Sequence, residues 1–354
     1  VKKKWFYPLL VIMTLASILA QYFTQIEWLK FTLAAFSLLL WAALLGKSTE
    51  SVAYYAGERL GGLLNATFGN AAELIIGIFL VKEGLFNLVK ASIIGSIIGN
   101  LLLVLGLSVF FGGLKYKTQK FNSMLASHNT SLMLIAVIAL FIPAAFLKQE
   151  PLEDVLDVSI IISAVLMIGY FLWLYFSLVT HRQELNSSSS NQPIEDEKEN
   201  PPWSKWISIL ILAISTLFVA VQSEWLVHSV EAVAKAIGWS ELFVGAFLIA
   251  IIGNAAEHSA AIMLAIKNRL DAAVEIAVGS SLQISLFVAP VLVFVGLMFG
   301  KKMDLVFNSY EIVAVTAATF IASSISRDGA TNWYEGVLLL MVYVILGAAF
   351  FVVG

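Results

Sequence analysis

The chain contains no cysteine, only four histidines and seven prolines, and just 13% of its 354 residues are charged. Each scarcity excludes something. Without cysteine there are no disulfides, thiolate metal sites or cysteine nucleophiles. No HExxH, GxSxG or Walker-type phosphate loop occurs. An intramembrane hydrolase therefore lacks its catalytic constellation, and ATP-driven pumping lacks its nucleotide site. The reading is of a non-enzyme with no resident cofactor. Soluble domains average about 25% charged residues, so a sizeable soluble domain has no room here. The net charge of −3 is small, and nothing points to a nucleic-acid partner.

What remains is apolar sequence. Hydrophobic residues make up 60% of the chain and the mean hydropathy is +0.89. Apolar runs of roughly 18 or more residues read as membrane spans, and an open strand edge cannot survive in lipid. The fold class is thus an all-α polytopic membrane protein, with the lipid bilayer as its partner. Spans are expected at 5–23, 28–46 with a helical extension to about 60, 62–81, 86–112, 122–147 and 154–180. A polar, serine-rich and acidic linker follows at 181–203 and ends in Pro201-Pro202. Further spans are expected at 204–222 with an extension to 237, then 240–266, 271–299, 304–325 and 333–353, giving eleven in all. The N-terminal stretch has a basic start like a signal peptide. Leu19 stands where cleavage wants a small residue, so the reading is an uncleaved first span.

Trp5, Trp28, Trp203, Trp206, Trp239 and Trp333 lie near span ends, as an interfacial belt requires. Thirteen of the 21 Lys and Arg residues fall on the side of the N-terminus and the linker, and seven on the other, with Lys47 set aside near an inner end. That bias predicts a cytoplasmic N-terminus, a cytoplasmic linker and an external C-terminus in a multi-pass protein of the cell inner (plasma) membrane. The linker acids Glu195, Asp196, Glu197 and Glu199 read as a solvated tether. Glu224, His228, Glu231 and Lys235 read as a solvated helix face.

An internal repeat is visible. "GNAAEL" begins at Gly69 and "GNAAEH" at Gly253, 184 positions later. "GSI" at Gly95 and "GSS" at Gly279 are also 184 apart, and "FNS" at Phe121 and Phe307 are 186 apart. The expected organisation is an extra N-terminal helix (1–25), a first five-helix repeat (26–180), the linker (181–203) and a second five-helix repeat (204–354). Five spans is an odd number, so the second copy enters the membrane inverted relative to the first. Secondary transporters are built this way, with the site at the midplane between the halves.

Glu73 and Glu257 are then deep in the bilayer, Glu73 near the middle of a continuous 62–81 span. A charge at that depth is disfavoured by about 2.5–3.5 kcal/mol on insertion scales. Two glutamates at matching positions point to a cation, to protons or to a wet cavity. The plainer alternative is a pair of neutral glutamates hydrogen-bonded in a polar seam. Asn70 and Glu73 are spaced i,i+3, as are Asn254 and Glu257, so each pair shares a helix face. Gly69 and Gly253 allow close backbone approach. Two carboxylates with amide and backbone oxygens make a hard oxygen site, which suits Ca²⁺. Protons can neutralise the same pair.

"LLNATFGNAAELIIG" and "IAIIGNAAEHSAAI" resemble the paired signatures of the cation/proton exchanger (CAX) family, a branch of the calcium/cation antiporter superfamily. "GSIIGNLLLVLG" and "GSSLQISLFVAP" resemble the following helix in each of the family's repeats. The likeness covers nearly the whole chain. It implies a secondary antiporter that exports cytoplasmic Ca²⁺ in exchange for H⁺ by alternating access, with both ions as substrates. It implies that Glu73 and Glu257 bind the cation and carry protons, with Asn70 and Asn254 beside them. Candidates from the next helices are Asn100 and Gln283, then Ser96, Ser280 and Ser281, whose alternative use is helix packing. Gln283 aligns with Gly99, so the site is only pseudo-symmetric. His258 points about 100° from Glu257 on a helix and reads as bonding a neighbouring helix rather than relaying protons. The sodium-coupled relatives' pattern G-T-S-x-P-[ED] is absent, which favours protons over sodium. A cation channel, or exchange of Na⁺, K⁺ or Mn²⁺ against H⁺, stands as the alternative, and a homo-oligomer is compatible with the sequence.

Overall fold

The computed structural model describes residues 3–147, 150–180 and 201–353. It is helical almost throughout. We label the helices α1 (Lys3–Phe23), α2 (Glu27–Phe68), α3 (Ala71–Glu83), α4 (Phe86–Tyr116), α5 (Ser123–Phe146), α6 (Leu152–Thr180), α7 (Lys205–Ile237), α8 (Glu241–Ile266), α9 (Leu270–Met298), α10 (Ser309–Ile325) and α11 (Trp333–Val353). Among the described residues nine helices are long and apolar enough to cross a membrane. The count is ten if the bent pair Leu60–Phe68 and Ala71–Glu83 forms one span. The remaining expected segment, 304–325, is helical only from Ser309, where Asn308 and Glu311 form a reciprocal capping box. Most of the acidic linker, 181–200, lies outside the described residues, including its four acids.

Two departures from the sequence reading matter. The 62–81 stretch is not one straight helix. Gly57 takes φ +80° and ψ 173°, which breaks α2, and a second break at Gly69–Asn70 bends the following pair by 44°. Glu73 therefore stands in the first turn of α3 rather than mid-helix. The second copy behaves differently: Asn254 and Glu257 lie within an unbroken α8, preceded by a π-helical turn at Val244–Ile249. The other departure is a short antiparallel ribbon, β1 (Thr118–Lys120) with β2 (Ala330–Asn332), pairing Gln119 with Thr331.

α4 and α9 are the most enclosed spans, 83% and 61% buried, against 22% for α1 and α11. Both central helices carry a π-helical turn just past their Gly-Ser motifs, at Gly99–Val104 and Ile284–Val288. Such turns free backbone groups and recur at functional sites. Around this centre α2 and α7 pack along each other, and α1 packs on α2 and reaches α7 through Tyr22 against Trp225. Trp41 Nε1 donates to Thr14 Oγ1 at 2.9 Å, and Ser17 donates to Gln222 Oε1 at 2.7 Å.

The two ends of the bundle are fastened differently. At one end Gln119 Nε2 donates to Ala265 O and Asn268 Oδ1, and Lys115 and Tyr116 donate to Ile266 O. Tyr55 donates to Trp203 O there, so this is the end that bears the linker. At the far end the ties are ionic, Lys90 with Asp304 at 3.2 Å and Lys82 with Glu224 at 3.3 Å. Trp5, Trp28, Trp206 and Trp333 are exposed near helix ends, as a belt demands.

Candidate functional site

The first turn of α3 and the middle of α8 bring the two signatures together, flanked by α4 and α9. Each glycine receives the other repeat's glutamate. A methyl on Gly69 would stand 3.3 Å from Glu257 Oε1, and one on Gly253 would stand 3.2 Å from Glu73 Cγ. A side chain at Gly253 would press on Glu73, and one at Gly69 would press on the Asn65 carbonyl as well as on Glu257. The glutamates are half-buried as residues, yet both oxygens of Glu73 and Oε2 of Glu257 are shut off from solvent and have no hydrogen-bond partner. The two are close enough to repel when both are ionised.

A neutral network surrounds them. Asn70 Nδ2 donates to Gln283 Oε1 at 2.6 Å and Asn70 Oδ1 accepts from Ser280 Oγ at 2.7 Å. Asn254 Nδ2 donates to Ser96 Oγ and to Ala250 O, both at 2.8 Å. Asn100 Nδ2 reaches Ser280 Oγ at 3.2 Å and Asn254 Oδ1 at 3.5 Å, which joins the halves. Asn70, Asn100, Asn254, Ser96 and Ser280 are buried. All six expected amide and hydroxyl side chains other than Ser281 thus meet in one place. Ser281 turns back to Ala277 O on its own helix. His258 is buried with Nε2 unpartnered and takes no part in this network.

Three unpartnered carboxylate oxygens in an enclosed space are unfavourable unless neutralised. Protons or one divalent cation would do so. Among the described residues no group of three or more His, Asp or Glu side chains gathers. Two acids are therefore the charge available, and further ligands must be amide, hydroxyl, backbone or water oxygens. That donor set fits a hard, flexible cation such as Ca²⁺.

The surroundings are not symmetric. On the far side, a methyl on Gly95 of α4 would overlap the Ala246 carbonyl, and a methyl on Gly245 would stand 2.6 Å from Ala91 Cβ. Here α4 and α8 are sealed backbone to backbone. The counterpart of Gly95 on the linker side is Gly279 of α9, where nothing lies within 4 Å. Leu60–Phe68, the counterpart of Val244–Ile249, is swung away, and no comparable packing joins it to α9. Gly62 meets Leu178 of α6 instead.

Known proteins show the same organisation. The chain is 49% identical over 322 residues to the Ca²⁺/H⁺ antiporter ChaA of Bacillus subtilis (strain 168), covering 91% of each. It is 45% identical over 336 residues to a Ca²⁺/H⁺ antiporter of Aphanothece halophytica, covering 91% of this chain and 89% of the relative. The solved structure of native YfkE superposes with a TM-score of 0.86 at 42% identity, covering 98% of this chain and all of that one. The sodium/calcium exchanger protein family matches residues 26–179 and again 207–352, and the chain belongs to that family.

Proposed function

We infer that this protein is a secondary antiporter that moves Ca²⁺ against H⁺ at the Glu73–Glu257 pair. The observation that carries this is the set of unpartnered, enclosed carboxylate oxygens, two on Glu73 and one on Glu257. One Ca²⁺ or protons can neutralise the pair, and either state excludes the other. Ca²⁺/H⁺ exchange at one site follows from that competition, and it is the activity in the names of the relatives from Bacillus subtilis and Aphanothece halophytica. A vacuolar cation/proton exchanger of Oryza sativa, 38% identical over 347 residues, carries proton coupling in its name as well. A channel reading has no ring of ligands about an axis to support it.

Asn70, Asn254, Asn100, Gln283, Ser96 and Ser280 supply neutral oxygens or hold those that do. In this reading α2–α6 and α7–α11 are inverted repeats related by a pseudo-two-fold axis in the membrane plane, with α1 outside them and eleven spans in all. The bond pattern supports it. Asn70 with Ser280 and Asn254 with Ser96 are the same pairing at an offset of 184 positions, each reaching across to the other repeat. The two stretches matched by the family, 26–179 and 207–352, fall at the same division.

The N-terminus and linker are placed in the cytoplasm of a cell-membrane protein, and the C-terminus outside, by the lysine and arginine bias. The seal at Gly95 and the space at Gly279 then correspond to a site open toward the cytoplasm. Glutamates facing that side release protons and take Ca²⁺. After the opening alternates, external protons displace the cation. Purified protein in liposomes tests this: Ca²⁺ added on one side should drive proton movement from the other, and no coupled proton movement would refute the reading.

A further inference from the structure

The linker-side half of α9 has one loosely packed face. Ala273, Val274, Ala277, Val278, Ser280, Ser281 and Leu282 are all buried. Ala272, Ile276 and Gln283 are half-buried, Glu275 is exposed, and Gly279, itself buried, has nothing within 4 Å of where a side chain would stand. At 100° per residue these five positions fall within one sector of the helix. Ala272, Glu275 and Ile276 are accessible on this face near the helix start, and the unfilled space beside Gly279 lies between them and Gln283. Gln283 accepts from Asn70, beside the unpartnered oxygens of Glu73. Such a face leads into the site.

Glu275 is the charge on that stripe. It engages no hydrogen-bond or ion-pair partner among the described residues. An unpaired carboxylate in a span is disfavoured against lipid and belongs to water-lined space. Its neighbour one turn back, Asp271, is occupied in accepting from the backbone N–H of Asn122. The nearby cations, Lys267 and Arg269, sit in the preceding turn and make no ion pair with Glu275. At the equivalent place on the far side stands Ala91, sealed against Gly245 and fully buried. The acid is thus present only where the way to the site is open.

We propose that Glu275 is a positioning residue of the linker-side approach: it draws a divalent cation along the Gly279 face of α9 toward Glu73 and Glu257. This rests on the exchange reading above. Among the described residues Glu275 makes no hydrogen bond or ion pair with a site residue, so it acts on capture and leaves the alternation of the site alone. A single charge acting on a divalent cation through water over about 10 Å changes its local concentration about threefold to tenfold.

Two measurements test this, and neither failure is confused with failure of the exchange reading, because wild-type exchange is recorded first. In vesicles with the linker side facing the bath, Glu275→Gln should raise the Ca²⁺ KM about threefold to tenfold with kcat unchanged, more at low than at high ionic strength. Glu275→Asp should stay near wild type. Unchanged KM in Glu275→Gln, or a fall in kcat alone, would overturn the proposal. The second measurement uses the absence of cysteine. Glu275→Cys should react with a membrane-impermeant thiol reagent from the linker side only, and Ca²⁺ should not be needed for access. Ala91→Cys should stay inert from both sides. Failure of Glu275→Cys to react would show a lipid-facing or sealed position and sink the approach path, whether or not the protein exchanges Ca²⁺ for H⁺.

Discussion

Ser280 donates its hydroxyl to Asn70 Oδ1 at 2.7 Å, from the second repeat's central helix to the first repeat's signature. This bond fixes the amide of Asn70 at the break before α3, and it is absent one residue later, where Ser281 bonds its own helix at Ala277 O. Ser280→Ala should therefore weaken Ca²⁺ exchange, raising KM by severalfold, in line with about 1 kcal/mol for a lost neutral hydrogen bond. Ser281→Ala should be close to wild type. Exchange rates against Ca²⁺ concentration in matched vesicles decide it, and equal effects of the two would remove Ser280 from the site.

The seal on the far side gives a stability prediction. Gly95→Ala places a methyl against the Ala246 carbonyl, so α4 and α8 must separate. Overpacking of this kind is destabilising by about 1–3 kcal/mol. Gly279→Ala meets nothing within 4 Å and should melt like wild type. Thermal unfolding in detergent, followed by loss of the monodisperse peak, compares them. A lower melting point for Gly279→Ala than for Gly95→Ala would contradict the asymmetry described here.

Gln119 ties the ribbon to the end of α8. Its Nε2 donates to Ala265 O at 2.9 Å and to Asn268 Oδ1 at 3.0 Å, in a position only 2% exposed. Gln119→Ala removes both bonds and leaves the Ala265 carbonyl short of that partner, a loss of about 1–3 kcal/mol. A lower melting temperature with an unchanged Ca²⁺ KM is expected. A changed KM at unchanged stability would give this latch a role in binding instead.

The glutamate pair and its neighbours were legible in the sequence because the repeat prints them twice. Glu73, Glu257, Asn70 and Asn254 recur at one offset, and the Ser96 and Ser280 positions follow from it. The break at Gly69–Asn70 was not legible. The same Gly-Asn pair at 253–254 sits in an unbroken helix, so the difference lies in packing: Val244–Ile249 is held on α4, while Leu60–Phe68 packs on α6, where Tyr170 donates to Ala66 O. The ribbon was hidden because three-residue strands have no period to detect. Glu275 was hidden because its counterpart is Ala91, and a repeat reveals only what both copies share. Ser281, a candidate beside Ser280, bonds its own helix instead, and His258 Nε2 has no partner.

The counter-ion follows from the signature. Asn70 and Asn254 occupy the places where sodium-coupled relatives carry a hydroxyl pattern, and no proline precedes either glutamate. An imposed sodium gradient at equal pH should not drive Ca²⁺ uptake into vesicles, and a pH gradient should. Robust uptake with sodium and none with the pH gradient would reverse the assignment.

The central claim is that Glu73 and Glu257 together hold either Ca²⁺ or protons. Glutamine keeps the volume of each side chain but cannot ionise, so each substitution removes one of the two charges that offset Ca²⁺. Folding should survive, since an unpaired enclosed charge is relieved. The direct measurement is Ca²⁺-driven proton movement in liposomes holding equal amounts of wild type, Glu73→Gln and Glu257→Gln, each monodisperse before reconstitution. The wild type should exchange and neither variant should. Exchange at the wild-type rate in either variant would contradict that claim.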